Sequence, residues 1–223
     1  MNKHGLRRSL VFSAALAAGV ALSFTARADV SDMSFFVTSA GPGKGADLGG
    51  LAGADAHCAA LAKAAGAKKT QWRAYLSTTM PGGEAGTNAR DRIGNGPWKN
   101  LKGEVVAKNL EDLHSANNNL NKQTALTEKG TVVSGRGDAV NVHDILTGSD
   151  PEGRYSTAGG DTTCKNWTSG TEGSAIVGHH DRMGLKDTRH MKSWNSSHGT
   201  IGCSSEALLK TGGGGLYYCF AAD

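Results

Sequence analysis

No apolar run beyond residue 28 comes near the roughly 18–20 residues that a membrane-crossing helix needs. Nor is there an excess of one charge. The 223 residues include 24 Lys+Arg and 20 Asp+Glu. Four of the basic residues, Lys3, Arg7, Arg8 and Arg27, stand in residues 1–28 with no acid among them. The remainder carries 20 residues of each sign, which argues against the clustered basic surface that a nucleic-acid partner requires. Aromatics are only 6% of the chain, yet Trp, Leu and Val recur throughout, so the sequence is not that of a disordered tail. Cysteine is scarce as well, and no two of Cys58, Cys164, Cys203 and Cys219 stand at the spacing of a zinc knuckle. A Gly-x-Ser-x-Gly elbow and a His-Glu-x-x-His helix are both missing. No motif therefore supports an enzyme, and a binding protein is expected.

Glycine is the residue in excess. The 32 glycines are roughly twice the ordinary ~7% share, and they signal many tight turns. Residues 1–28 read as a signal peptide. Lys3, Arg7 and Arg8 form a charged start, Leu10 to Phe24 is apolar, and Ala26-Arg27-Ala28 is a small-x-small cleavage site. The Arg7-Arg8 pair raises twin-arginine export, but its flanking residues match poorly, so general secretion is the default. The protein is expected to be secreted or periplasmic. In that oxidising setting an even number of cysteines reads as two disulfides, with three pairings open. Residues 29–223 fit one domain.

The local patterns predict several elements. Met33 to Ser39 joins aromatic and β-branched residues and reads as a strand. Leu51 to Ala65, rich in Ala and Leu and stopped by Gly66, reads as a helix with Leu51, Asp55, Cys58, Leu61 and Ala62 on one stripe. Trp72 to Thr78, Glu104 to Ala107 and Gly215 to Phe220 are further strand candidates, and Ala89 to Ile93 and Leu110 to His114 short helical turns. Ser115 to Asp161 is polar and irregular, and loops of that length are usually functional.

The order of features resembles the C-type-lectin-like fold. A helix bearing Cys58 follows the first strand, then come Cys164-Lys165-Asn166-Trp167, Trp194-Asn195 before Cys203, and a terminal Leu216-Tyr217-Tyr218-Cys219 strand. The spacing of the last three cysteines is similar to the endostatin-like branch. The segments SFFVTSAGPGKGADLGGLAGADAHC, NARDRIGNGPW, GRGD with NVHDILTGS, CKNWTSG, GHHDR and GGGGLYYCFA resemble a family of secreted bacterial lectin-like proteins. The resemblance implies an α+β fold with short antiparallel sheets, one main N-terminal helix and long irregular loops. It implies the nested pairings Cys58–Cys219 and Cys164–Cys203, and a carbohydrate or cell-surface glycan as ligand. A protein-interaction or envelope-structural module is the alternative, and a metal-dependent hydrolase a third reading. One departure matters. Sugar-binding C-type lectins use Glu-Pro-Asn or Gln-Pro-Asp with Trp-Asn-Asp to hold calcium. Neither tripeptide occurs here, and Ser196 follows Trp194-Asn195.

The sharpest polar cluster is Gly178-His179-His180-Asp181-Arg182. On a strand, residues two apart share a face, so His179 and Asp181 are expected together. With His143-Asp144 and His198 they allow a divalent metal site, better suited to zinc or another transition metal than to calcium. His179, Asp181 and His198 are the metal candidates, and a loop-ordering hydrogen-bond network is the other reading. Trp194, Asn195, His179, Asp181, His143 and Asp144 form the predicted ligand surface. Trp167 reads as core, while Trp194, among polar neighbours, is open to stacking on a sugar. Arg136-Gly137-Asp138 reads as a tight turn. The sequons at Asn166 and Asn195 carry no expected modification in a bacterial protein.

Overall fold

The computed structural model describes Met1 and residues 30–79 and 86–223. Apart from Met1, the expected signal peptide lies outside the described residues. Strand β1 (Phe35–Val37) is buried at all three positions. Helix α1 (Gly50–Ala65) runs one residue longer than its pattern predicts, and ends at Gly66 with φ 86°, a conformation glycine adopts without strain. Its buried positions are Ala54, Cys58 and Ala62. Asp55 beside them accepts the backbone N–H of Ala74 and two contacts from the Arg92 guanidinium at 2.7 and 2.9 Å.

Strand β2 (Trp72–Ala74) is followed by a 3-10 turn at Ala89–Arg92. Strands β3 (Trp98–Lys99) and β4 (Val105–Ala107) form a separate two-stranded sheet. Helix α2 (Leu110–Leu113) starts on an Asn109 side-chain cap. Strand β5 (Asp144–Leu146) lies inside the polar stretch expected to be irregular. The turn α3 (Cys164–Trp167), strands β6 (Ile176–His179) and β7 (His198–Gly199), helix α4 (Ser205–Thr211) and strand β8 (Gly213–Ala221) complete the order.

Strand β8 is the hub of the main sheet. It pairs antiparallel with β1 and β2 and parallel with β5, and β5 continues antiparallel through β6 to β7. The parallel pair corrects the expectation of purely antiparallel sheets. Between β5 and β8 the chain makes a long crossover through β6, β7 and α4, which parallel pairing requires. Strand alternation splits the core in two. Tyr217, Cys219 and Ala221 join Phe36, Trp72 and Trp167 on the α1 side. Leu216, Tyr218 and Phe220 join Phe35, Trp98 and Trp194 on the other.

Two disulfides form, Cys58–Cys219 and Cys164–Cys203, with Cα separations of 5.7 and 5.8 Å. They match the nested pairing and fit an oxidising compartment. The first ties α1 to β8 across the core. The second anchors α3, where Cys164, Lys165, Asn166 and Trp167 all have φ between 47° and 66°. Four successive L-residues in the left-handed region cost roughly 1–2 kcal/mol each. The turn is offset by the disulfide, by Trp167 Nε1 donating to the Ser77 carbonyl at 2.7 Å, and by Asn166 Oδ1 accepting from Thr79 N–H at 2.9 Å. Among the described residues no helix is long and apolar enough to cross a membrane.

Candidate functional site

Three strand ends converge on one point. In the β5–β6 ladder Asp144 stands opposite His179. In the β6–β7 ladder His198 stands opposite Val177, two residues from His179. His143 immediately precedes β5. The site therefore depends on sheet register rather than on a local motif. Gly178 makes the approach possible, because a Cβ there would overlap the backbone of Trp194 and Asn195. Gly178→Ala is expected to cost about 1–3 kcal/mol by overpacking, and to lower the melting temperature by several degrees in a thermal scan. An unchanged melting temperature would show that the two segments pack less closely.

The polar atoms face one another at short range. Asp144 Oδ1 lies 3.3 Å from His143 Nε2, 3.2 Å from His179 Nε2 and 3.5 Å from His198 Nε2. His179 Nε2 and His198 Nε2 are 3.0 Å apart. The rings of His143 and His179 stack, with centroids 4.1 Å apart and planes 11° from parallel. The opposite nitrogen of each ring is also engaged. His143 Nδ1 donates to Asp181 Oδ1 at 3.0 Å, His179 Nδ1 to the Met191 carbonyl at 2.8 Å, and His198 Nδ1 to the Gly199 carbonyl at 3.1 Å. These acceptors cannot donate, so they assign the proton to Nδ1 in every ring. In the neutral rings each Nε2 is then the unprotonated nitrogen.

Asp144 has a side chain with no exposed surface, and neither carboxylate oxygen has a hydrogen-bond partner. Its contacts with the imidazoles are close but not aligned as hydrogen bonds. Burial works to raise its pKa, yet His179 and His198 outweigh it and hold the carboxyl below its ordinary range. The Asp144 carboxylate in turn raises the His198 pKa. Asp181 is also held low. Burial opposes this and is outweighed by His143 and by the backbone N–H groups of Arg136 and Met183. His180 points elsewhere and is buried, and desolvation pushes its imidazole down to about 4.

The three histidines line a cavity of about 420 Å³, together with Arg136, Asn141, Met191 and Lys210. The predicted surface divides here. His143, Asp144, His179 and His198 come together. Asp181 does not share a strand face with His179, because β6 ends at His179 and the chain turns, Arg182 taking φ 54°. It supports His143 from behind instead. Trp194 lies apart from this cavity. It is 3% exposed and packed against Tyr75 and Tyr218 with centroids 4.8 and 5.2 Å away. Asn195 is buried beside it, its amide donating to Tyr75 Oη and to the Asp150 and Pro151 carbonyls. Both border a different cavity.

Sequence reasoning missed Arg136, Asn141 and Lys210 as cavity walls. Arg136 was visible only as part of the Arg-Gly-Asp turn. That turn does form, and the Arg136 N–H anchors Asp181 Oδ2 at 2.7 Å. Among the described residues, His143, Asp144 and His179 are grouped closely enough to hold a metal ion, their ligand atoms lying within 4.8 Å of one another. Compared with known proteins, the chain matches no family model and no curated protein.

Proposed function

We propose that the protein is a secreted, C-type-lectin-like binding module that takes a carbohydrate or cell-surface glycan into the histidine-lined cavity, without catalysis. The observation that carries this reading is the gathering of a preformed polar cluster and several hydrogen-bonding side chains on one concave surface. The tie from α1 to β8 by Cys58–Cys219 and the long loops that build the cavity support the lectin-like frame. Arg136, Asn141, Lys210 and Thr211 supply donors and acceptors that suit sugar hydroxyls. Stacking on Trp194 plays no part. The cavity rim also carries Leu185, 79% exposed, and this favours a protein surface as the second reading.

A glycan array probed with the exported protein tests the proposal. Selective binding is expected, and Arg136→Ala/Lys210→Ala should weaken it at least about tenfold, the loss of one or two charged hydrogen bonds. The melting temperature should stay nearly unchanged, as for most surface substitutions. An array with no bound glycan, or binding indifferent to this double substitution, removes the proposal.

A further inference from the structure

We propose that His143, His179, His198 and Asp144 bind a divalent transition metal of the zinc type at the floor of the cavity. The inference stands on the four side chains and needs no assumption about the glycan. Four ligands at about 2.0–2.1 Å from one tetrahedral ion stand about 3.3–3.4 Å from one another. The separations here are 3.3, 3.2 and 3.5 Å from Asp144 Oδ1 to the three Nε2 atoms, and 3.0 Å between His179 Nε2 and His198 Nε2. These are four of the six edges of such a tetrahedron; the ligand atoms of His143, Asp144 and His179 lie within 4.8 Å of one another, and the stacked His143 and His179 rings must turn for both to aim at one ion.

The outer contacts point the same way. A metal-bound imidazole characteristically donates its other N–H to a carboxylate or a carbonyl, which fixes the ring and its tautomer. All three rings do so, to Asp181, to the Met191 carbonyl and to the Gly199 carbonyl. Asp181 is thereby a positioning residue rather than a ligand, and Asp144 takes the place that the sequence pattern assigns to Asp181. A third observation concerns Asp144. Its carboxylate is wholly buried with no aligned hydrogen bond to either oxygen, and a buried charge needs a counterion. A metal ion among the three Nε2 atoms supplies one, and a protonated His198 beside Asp144 Oδ1 is the competing source that the titration separates.

Protons offer the rival arrangement. Since each Nδ1 already donates, a hydrogen bond between His179 and His198 would need one ring to be cationic. Two rings each carrying an Nε2 proton cannot face each other at 3.0 Å. Three imidazoles and one carboxylate match zinc and its neighbours, whereas calcium and magnesium prefer oxygen ligands.

The test is a calorimetric titration of the full exported protein, prepared without a histidine tag and dialysed against chelator, with zinc chloride alone and then with calcium chloride. One zinc per chain is expected, with no competition from calcium. The cobalt-loaded protein should show the visible absorption of tetrahedral coordination. Asp181→Asn should weaken zinc binding about 10–100-fold, and His198→Ala by more. His198 is the most exposed of the three histidines, so this variant keeps its fold, and its metal-free melting temperature should match that of the parent. No zinc heat, or zinc binding that His198→Ala leaves unchanged, overturns the proposal. So does a cobalt spectrum of octahedral type. The titration contains no glycan, so its outcome is read separately from that of the array.

Discussion

Removing the Cys58–Cys219 disulfide with Cys58→Ala/Cys219→Ala should lower the melting temperature by roughly 5–15 °C under non-reducing conditions. The bond closes a segment of 161 residues, which in the chain-entropy account removes about 5 kcal/mol from the denatured ensemble. Native disulfides of this kind usually contribute about 2–5 kcal/mol, and each kcal/mol moves the midpoint by roughly 2–4 °C at this size. Cys164–Cys203 spans 39 residues, for about 4 kcal/mol by the same account. Its loss should also release the left-handed turn at Cys164–Trp167. Calorimetry of the two double variants checks both values. A shift below about 2 °C for Cys58→Ala/Cys219→Ala would contradict the account, because α1 would then be held to β8 by packing alone.

Trp194→Ala should be at least as damaging. The ring sits between Tyr75 and Tyr218 in the second core, and Tyr218 Oη donates to the Trp194 carbonyl at 2.9 Å. Emptying such a site costs about 3–5 kcal/mol, mostly through the cavity left behind. A fall of roughly 6–20 °C in the melting temperature follows. Below that midpoint, ligand binding should survive, since the ring does not line the histidine cavity. A variant that melts like the parent but loses its ligand would return Trp194 to the binding surface.

These two substitutions mark where the sequence could and could not be read. Cys58 lies on a helix announced by its Ala-rich run and its glycine stop, and Cys219 on a strand of aromatic residues. Both elements are encoded in their own neighbours. Trp194 is not. Lys192, Ser193, Asn195 and Ser196 surround it with polar side chains, while its burial is decided by Tyr75 and Tyr218, distant in sequence. Asp144 was legible as a candidate beside His143, but as a loop residue and not as part of a strand. The strand it begins is three residues long, too short for alternation to show. Its role comes from the register that sets it against His179 and near His198, which is a property of β6 and β7 as much as of its own segment. The pairing of His179 with Asp181 failed for the opposite reason. The two-residue spacing was sound for a continuing strand, but the strand stops at His179 and Asp181 enters the turn that follows. His143, next to Asp144 in sequence, then links the two carboxylates, with Asp181 on Nδ1 and Asp144 near Nε2.

At the centre of the proposal, the convergence of β5, β6 and β7 builds a metal-binding site at the cavity lined by His143, His179 and His198. Anomalous diffraction at the zinc absorption edge, from crystals of the exported protein grown with zinc, tests it most directly. The account predicts one strong peak about 2.0–2.2 Å from the Nε2 atoms of His143, His179 and His198 and from an oxygen of Asp144. A map with no peak there, or with zinc only on exposed carboxylates, would contradict it and leave the cluster as a proton-linked network that orders the loops.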